Sequence, residues 1–181
     1  MTALQVAGIN KGARWWHSDE MRFGLWGQVR RRWGRKGVKI VQKVQIEFAW
    51  HYLVLAVDVL RAERHWAWAA PMNQTQLLPI LETWSPDAVV WDGAAAHRGK
   101  AMGEVGFIRI FLPPYSPELN PPERVFGEIR RAIEGEVYPS LKAKQLAIEQ
   151  RLRRLQANKS QLRQLIGWDW IRQVYEQLPD P

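Results

Sequence analysis

One stretch of the sequence decides the fold: Phe111-Leu112-Pro113-Pro114-Tyr115-Ser116-Pro117-Glu118-Leu119-Asn120-Pro121-Pro122-Glu123. It continues an apolar run of β type, residues 107–112, and contains five prolines within ten residues. Each proline fixes φ, removes an N–H donor and restricts the preceding residue, which predicts a stiff, extended connection without regular structure. Pro121 and Pro122 suit the first turn of a helix. The stretch therefore predicts a rigid arm that delivers Glu123 to a helix start, with a plain proline-rich connector as the alternative.

Two other acidic segments lie upstream in similar settings. Residues 88–91 form an apolar run that ends at Asp92, and an aromatic run at residues 14–17 leads to Asp19. Runs of this composition are typical of strands, and ligands gather near the carboxyl ends of strands in open α/β sheets. We therefore expect Asp19, Asp92 and Glu123 to converge. A set of oxygen ligands suits Mg²⁺ or Mn²⁺.

Three motifs occur in a fixed order along the chain: Asp19-Glu20-x-Arg22-Phe23-Gly24-Leu25, then Asp92-x-Ala94-x-x-His97, then Leu112-Pro113-Pro114-Tyr115-Ser116-Pro117-Glu118-Leu119-Asn120-Pro121-x-Glu123. In this order they resemble the DDE-superfamily transposases, in particular the mariner-related transposases of bacterial insertion sequences. The resemblance covers roughly residues 14–134. The sequence departs from the family at Gly93, where Asn is frequent, and the thirty residues between Asp92 and Glu123 are slightly fewer than is usual for the group.

The resemblance implies a ribonuclease-H-like α/β fold, in which helices flank a mixed five-stranded sheet and a helical C-terminal tail follows. It also implies that Asp19, Asp92 and Glu123 are the catalytic acids and the ligands of two Mg²⁺ (or Mn²⁺) ions. Two such ions, about 4 Å apart, activate the attacking oxygen and stabilise the leaving oxygen of an in-line displacement. The implied reactions are DNA cleavage and strand transfer, the implied partners are transposon ends and target DNA, and a homodimer is implied in the DNA complex.

Glu20 and His97 are candidate auxiliary residues. Glu20 is adjacent to Asp19 and would point to the opposite face of a strand, as a helper or a structural residue. His97 has two interpretations, a packed histidine or a group that orients a phosphate or water near Asp92. Three acidic rivals are less well placed than the residues they would replace, namely Asp58, Asp87 and Glu118.

The charge of the chain favours a polyanionic partner. The formal net charge is +8 and the pI is about 10.1, which is typical of nucleic-acid-binding proteins. Eight basic residues and no acidic residue occur between positions 22 and 43, namely Arg22, Arg30, Arg31, Arg32, Arg35, Lys36, Lys39 and Lys43. These residues are candidate contacts to DNA phosphates, and a solvated basic loop is the alternative.

At 181 residues the chain is expected to form one domain. We predict a flexible lead-in at residues 1–12, the catalytic domain at 13–135 and a helical extension of the same domain at 136–181. There is no cysteine, no apolar run long enough for a membrane span and no secretory signal, so we expect a cytoplasmic protein, associated with the nucleoid through DNA. Only eighteen residues precede Asp19, too few for a helix-turn-helix module, which predicts a catalytic domain alone.

The hydrophobic patterns predict the following elements: strands at 13–17, 38–48, 51–60, 65–70, 89–92 and 108–112; helices at 74–84 with Asn73 as N-cap, weakly at 97–103, and at 122–134 and 141–157; and two short helices ending near Leu178. Strands 38–48 and 51–60 are expected to pair with each other. Two other function classes stay open: a nuclease of the same fold without strand transfer, and a non-catalytic DNA-binding remnant of a transposase.

Overall fold

The computed structural model of the protein describes residues 8–27, 31 and 33–181. Its strands are β1 (Trp15–Gly24), β2 (Trp50–Asp58), β3 (Glu63–Ala69), β4 (Ala88–Trp91) and β5 (Ile108–Phe111). Its helices are α1 (Gln74–Trp84), α2 (Ala95–Arg98), α3 (Pro122–Ile133), α4 (Leu141–Ala157), α5 (Lys159–Ile166) and α6 (Asp169–Glu176). Two 3₁₀ turns lie at Lys100–Gly103 and Pro117–Leu119.

The five strands form one mixed sheet in the order β3-β2-β1-β4-β5. The first three strands are antiparallel neighbours, and β4 and β5 continue the sheet in parallel with β1. Helix α1 connects β3 to β4 and lies against one face, whereas α3 to α6 cover the other. The predicted mixed five-stranded sheet flanked by helices is confirmed.

The first strand is longer than the sequence predicted. We expected it to end at residue 17, before Asp19, but β1 continues to Gly24. The whole second half of β1 pairs with β2, from Asp19 opposite Leu55 to Gly24 opposite Trp50. Asp19 therefore lies in the middle of a strand rather than at its end, because a neighbouring strand holds the polar residues that follow it in β conformation.

The predicted strand at residues 38–48 is wrong. Among the described residues, 38–49 contain no helix or strand, and most of their apolar side chains are exposed. Residues 50–58 form β2 as expected, but β2 takes β1 and β3 as its two partners. Alternation alone does not make a strand, and β2, the expected partner of this segment, already pairs with β1 and β3 on its two sides.

The core has two parts, one on each face of the sheet. The larger part joins the sheet to α3–α6 through Trp15, Met21, Phe23, Leu53, Leu55, Val125, Phe126, Ile129, Ile148, Leu152, Leu155, Leu162, Ile166 and Ile171. The smaller part joins it to α1 through Val54, Leu77, Leu81, Val89, Trp91 and Met102. β1 contributes its odd-numbered residues to the larger part, so Asp19 faces the same side as α3.

The helices agree closely with the predicted ones. Helix α1 begins after Asn73, whose side chain accepts a hydrogen bond from the Gln76 N–H, and α4 has its predicted bounds and a Ser140 N-cap. The predicted weak helix at 97–103 is divided into α2 and a 3₁₀ turn. Within the described ranges, no helix has the length and apolar character that crossing a membrane requires.

The two ends of the described chain pack together. Ile9 is buried in the larger core, the Lys11 N–H donates to the Pro179 carbonyl, and the Lys11 ammonium lies 2.9 Å from Asp180. Of the predicted flexible lead-in, residues 1–7 lie outside the described part. The division into 13–135 and 136–181 stays a prediction.

Candidate active site

The three predicted acids line one cavity. Its volume is about 500 Å³. Asp19 comes from the middle of β1, Asp92 follows the end of β4, and Glu123 lies in the first turn of α3. The other lining residues are Gly93, Ala94, Arg98, Leu112, Pro113, Pro114, Tyr115, Ser116, Pro117 and Asn120. The structure thus brings together side chains from three separate segments.

Strand register accounts for the first two acids. β1 and β4 are parallel neighbours, with Trp15 opposite Ala88 and His17 opposite Val90. Continued by two residues, the same register places Asp19 beside Asp92. Adjacent strands lie about 4.8 Å apart, and residues level with each other in the register point to the same face. The two carboxylates therefore face the same end of the sheet.

The proline arm accounts for the third acid. It leaves β5 after the Leu112 N–H has donated to the Trp91 carbonyl at 2.8 Å, and then lines the cavity up to Asn120. The expectation of a stiff, extended connection without regular structure is wrong at Pro117–Leu119, which form a 3₁₀ turn. Pro121 already has helical dihedral angles, φ −54° and ψ −36°. Proline's fixed φ suits both turns, so the arm reverses direction and directs Glu123 back over β1.

Asp19 is a half-buried carboxylate with two donors. Its Oδ1 accepts the Glu20 amide N–H at 2.8 Å, and its Oδ2 accepts the Asn120 side-chain N–H at 2.9 Å. Burial, with the negative charges of Glu20, Glu123 and Asp92, raises the pKa of Asp19 to about 7, against the lowering effect of the Glu20 amide. A cation near this carboxyl group would stabilise its ionised form, because a positive charge offsets the repulsion between the acids and the cost of burying a negative charge.

Asn120 was missed as a site residue. It was noted within the proline motif but given no role, although it is 2% exposed and hydrogen-bonded to Asp19. Its side-chain N–H also lies 3.4 Å from the Ser18 carbonyl. The available signal was its place: a polar residue that ends an arm and comes three positions before the acid that the arm delivers.

Arg130 was also missed. It follows Glu123 by seven residues, two turns of α3, which places both on one helix face, and its guanidinium lies 3.3 Å from Glu123 Oε2. Arg98 is the one cation among the described residues that line the cavity. A Cβ on Gly93 would collide with the Arg98 guanidinium, so the departure from the family's frequent Asn leaves room for this arginine.

His97, one of the two candidate auxiliary residues, connects the other, Glu20, to Asp92. It is 1% exposed; its Nε2 lies 3.1 Å from Glu20 Oε2, and its Nδ1 lies 2.8 Å from Asp92 Oδ1. Burial lowers the pKa of His97, but the hydrogen bond and charge of Glu20 and the charge of Asp92 outweigh burial and raise it to about 9. Both ring nitrogens face acceptor oxygens, which is the arrangement of a doubly protonated ring.

The donor set fits a hard divalent cation. All three acids offer carboxylate oxygens, the ligands that Mg²⁺ and Mn²⁺ prefer, and burial together with the neighbouring negative charges raises the pKa of Asp19. Within the described part of the chain, no three His, Asp or Glu side chains are close enough together to hold one ion. Asp19 and Glu123 are instead held by Asn120 and Arg130.

None of the described residues among the predicted DNA-binding set lines the cavity. Arg30 and Arg32 fall outside the described residues. Arg31, Arg35, Lys36, Lys39 and Lys43 are exposed in a segment without regular structure. Arg22 is exposed on β1, with its guanidinium 5.3 Å from the ring centre of Trp50. Arg22, Arg130 and Lys144 line a second cavity of about 300 Å³ beyond α3.

The family model described as DDE superfamily endonuclease matches residues 14–145. The chain belongs to this family. The match spans all three acids and more than half of the sequence, and the resemblance drawn from the three motifs is confirmed. This DDE endonuclease gives no match to curated protein sequences.

Solved structures show the same fold. A Mos1 transposase paired-end complex with the left transposon end has a TM-score of 0.60 at 15% identity, over 86% of this chain and 52% of that one. The mariner Mos1 paired-end complex with Mg has a TM-score of 0.59 at 17% identity, over 85% and 51%. A simian T-cell lymphotropic virus intasome structure gives 0.51 at 14% identity, over 75% and 47%. The DDE endonuclease thus spans about half the length of these chains, and the predicted ribonuclease-H-like fold is confirmed.

Proposed function

We propose that this DDE endonuclease is the catalytic part of an insertion-sequence transposase, which cuts DNA and transfers strands with two Mg²⁺ or Mn²⁺ ions held by Asp19, Asp92 and Glu123. The observation that carries the proposal is the convergence of these three carboxylates in one cavity from three separate segments. The family match supports the nuclease chemistry. The proposal extends to DNA as partner, to a homodimer in the DNA complex and to a cytoplasmic location.

Asp19, Asp92 and Glu123 would hold the ions, which would supply activation of the attacking oxygen and stabilisation of the leaving oxygen. The chain's own residues do the rest. The three carboxylates supply ligands without a competing nucleophile, Asn120 orients Asp19, and Arg98 is placed to neutralise phosphate charge at the cavity. Water as nucleophile gives a cut strand and a DNA 3′-hydroxyl gives strand transfer, and only the attacking oxygen differs between them.

The related structures support the metal and the substrate. The Mos1 transposase was solved with a transposon end, with Mn and with Mg. Its fold is shared at 13–17% identity, so the transfer of metals and DNA to this chain rests on the carboxylates described above.

The DNA path is proposed from charge. Arg22, Arg130 and Lys144 come from three elements and line one cavity, together with Trp26, Trp50 and the acidic Glu134. Arg130 lines this second cavity and also lies 3.3 Å from Glu123 Oε2 through its guanidinium, so the second cavity adjoins the catalytic one. The exposed basic residues of the 31–43 segment extend the positive surface. Such groups would hold phosphates in register without reading bases.

The test is cleavage of a labelled duplex carrying the neighbouring element ends, in the presence of Mg²⁺ or Mn²⁺. We expect Asp92→Asn to lower the cleavage rate by at least about a hundredfold, which corresponds to about 2.7 kcal/mol, while the protein stays folded and still binds DNA. Asp87→Asn is the matched control, because Asp87 accepts from the Arg14 N–H outside the cavity. Cleavage by Asp92→Asn at the rate of the unchanged protein would refute the catalytic role of Asp92.

The same assay distinguishes the alternatives. A nuclease without strand transfer would release cut strands but would not join a 3′-hydroxyl end to a second duplex. A non-catalytic remnant would bind DNA and show neither reaction nor Mn²⁺ binding.

A further inference from the structure

His97 lies between two carboxylates that belong to different strands. Glu20 is on β1, and Asp92 follows β4. The imidazole Nε2 lies 3.1 Å from Glu20 Oε2, and Nδ1 lies 2.8 Å from Asp92 Oδ1 and 3.2 Å from the Asp92 main-chain carbonyl oxygen. Its flat face stacks on Trp91, with ring centres 4.4 Å apart and an angle of 2° between the planes. The ring is therefore fixed in its plane by two polar contacts and along its normal by a fully buried indole.

Asp92 needs such support more than the other acids. It lies beyond the last residue of β4, and its side chain is 55% exposed. Oδ1 accepts the Ala94 N–H at 3.0 Å in addition to the His97 contact. Oδ2 takes part in neither contact. The carboxylate plane is thereby defined by groups behind it, with one oxygen engaged and one left for a ligand.

We propose that His97 is a positioning residue that sets the direction of the Asp92 carboxylate, with Glu20 as the brace that holds the ring from β1. The proposal rests on the proposed function, in which Asp92 is a metal ligand. Partners behind metal ligands typically change metal affinity by about 10- to 100-fold. Such a chain also ties β1, which carries Asp19, to the loop that carries Asp92.

Two substitutions at position 97 separate the His97 contact with Asp92 from the His97 contact with Glu20. His97→Asn keeps an amide N–H near the position of Nδ1, which faces Asp92, and no longer reaches Glu20. His97→Gln extends toward Glu20 and no longer supports Asp92. Mn²⁺ affinity is measured on the whole chain by the electron paramagnetic resonance signal of free Mn²⁺. We expect His97→Gln to weaken Mn²⁺ binding by about 10- to 100-fold and His97→Asn to weaken it clearly less.

His65→Gln is the matched control. His65 also contacts two tryptophans, Trp16 and Trp84, but touches none of the three acids. It should lower the thermal midpoint without changing Mn²⁺ affinity. If His97 were only a packing residue, His97→Gln would behave in the same way, and that result would overturn the proposal. If His97→Gln does not fold, Glu20→Ala is tested instead. We expect weaker Mn²⁺ binding in Glu20→Ala, and unchanged binding would refute the proposed role of Glu20 in holding the His97 ring.

Asp92→Asn distinguishes failure of this proposal from failure of the proposed function. In the Asp92→Asn background, adding His97→Gln should cause no further reduction of Mn²⁺ affinity, because the two act through one ligand. If Asp92→Asn weakens Mn²⁺ binding but His97→Gln does not, the positioning role alone is wrong. If Asp92→Asn binds Mn²⁺ like the unchanged protein, both the proposed metal site and the positioning role of His97 are wrong.

Discussion

Asp19 depends on a neighbour that belongs to the proline arm. Among the described residues, the Asn120 amide is the only side-chain donor to Asp19. We predict that Asn120→Leu, which preserves size but removes the donor, weakens Mn²⁺ binding by about 10- to 100-fold, measured by calorimetry. Asn73→Ala is the control: removal of the α1 N-cap should cost about 1 kcal/mol of stability and leave Mn²⁺ affinity unchanged. Equal Mn²⁺ affinity in Asn120→Leu and the unchanged protein would contradict the prediction.

The ionisable groups of the site make the stability of the metal-free protein depend on pH. The folded-state pKa of His97 is about 9, above its ordinary value of 6.5, so its contribution is complete below pH 6.5 and disappears as pH rises through 9. The pKa of Asp19 is raised to about 7, so its contribution to folding stability falls as pH rises toward 7. Burial lowers the pKa of His17 to about 3, so its contribution rises with pH and is complete above pH 6.5. Between pH 7 and 9, His97 therefore dominates.

We predict that the free energy of unfolding in excess chelator falls by up to about 3 kcal/mol between pH 7 and 9. Urea unfolding at several pH values measures it. His97→Gln should flatten the curve in this window. A curve of unchanged slope in that variant would mean that another group titrates there.

The expected convergence of three single residues is observed in the structure. Asp19, Asp92 and Glu123 were chosen because each lies beside an apolar run or at a helix start, and the fold brings them into one cavity. The contacts of Asn120 and Arg130 were not predictable in the same way. They join residues 101 and 7 positions apart, and the first depends on how the arm turns over β1.

The proline arm is the element that sets the position of Glu123. Pro117 is exposed and opens the 3₁₀ turn of the arm. We predict that Pro117→Gly lowers stability by about 0.5–1 kcal/mol through the entropy of the unfolded chain. It should also weaken Mn²⁺ binding several-fold, because Glu123 then samples more orientations. Pro139→Gly, at an exposed position before α4, is the matched control, with a similar decrease in stability and no change in Mn²⁺ affinity. Equal effects of the two variants on Mn²⁺ affinity would contradict the role of the arm.

Elements with local signals were predicted well, and elements defined by partners were not. The N-cap at Asn73 and the start of α3 at Pro122 are predictable from the residues next to them in the sequence. The length of β1 is not predictable in this way, because residues 20–24 are held in β conformation by β2. The absence of a strand at the described residues 38–48 has a related origin, since β2, the expected partner, already pairs with β1 and β3.

At the scale of the whole molecule, order along the chain was the strongest guide. Antiparallel strands followed by strand–helix–strand–helix predicted the mixed sheet, and the parallel register of β1 and β4 then aligns Asp19 with Asp92. The C-terminal helices complete the core on the face that carries Asp19, through Ile148, Leu152 and Leu155. Support of the face that carries Asp19 by these helices follows from packing rather than from any motif.

The charge of the molecule predicts how it should bind DNA. The net charge is +8, and the basic segment at 31–43 presents Arg31, Arg35, Lys36, Lys39 and Lys43 to solvent. Contacts of this kind go to phosphates and carry no sequence information. We therefore predict strong salt dependence and similar affinity for element ends and for random duplex of equal length at about 0.1 M salt.

Fluorescence anisotropy over a series of salt concentrations measures both properties. Changing Arg35, Lys36 and Lys39 together to Ala should weaken binding to both duplexes equally and reduce the slope of log affinity against log salt by about 0.9 for each phosphate that is no longer neutralised. The control is Arg153→Ala on α4, because Arg153 is paired with Glu149. A preference above about a hundredfold for element ends, some 3 kcal/mol, would mean that the described surface reads bases directly. The exposed basic segment would then be a recognition element rather than a phosphate track, because phosphate contacts alone give equal affinity for every sequence.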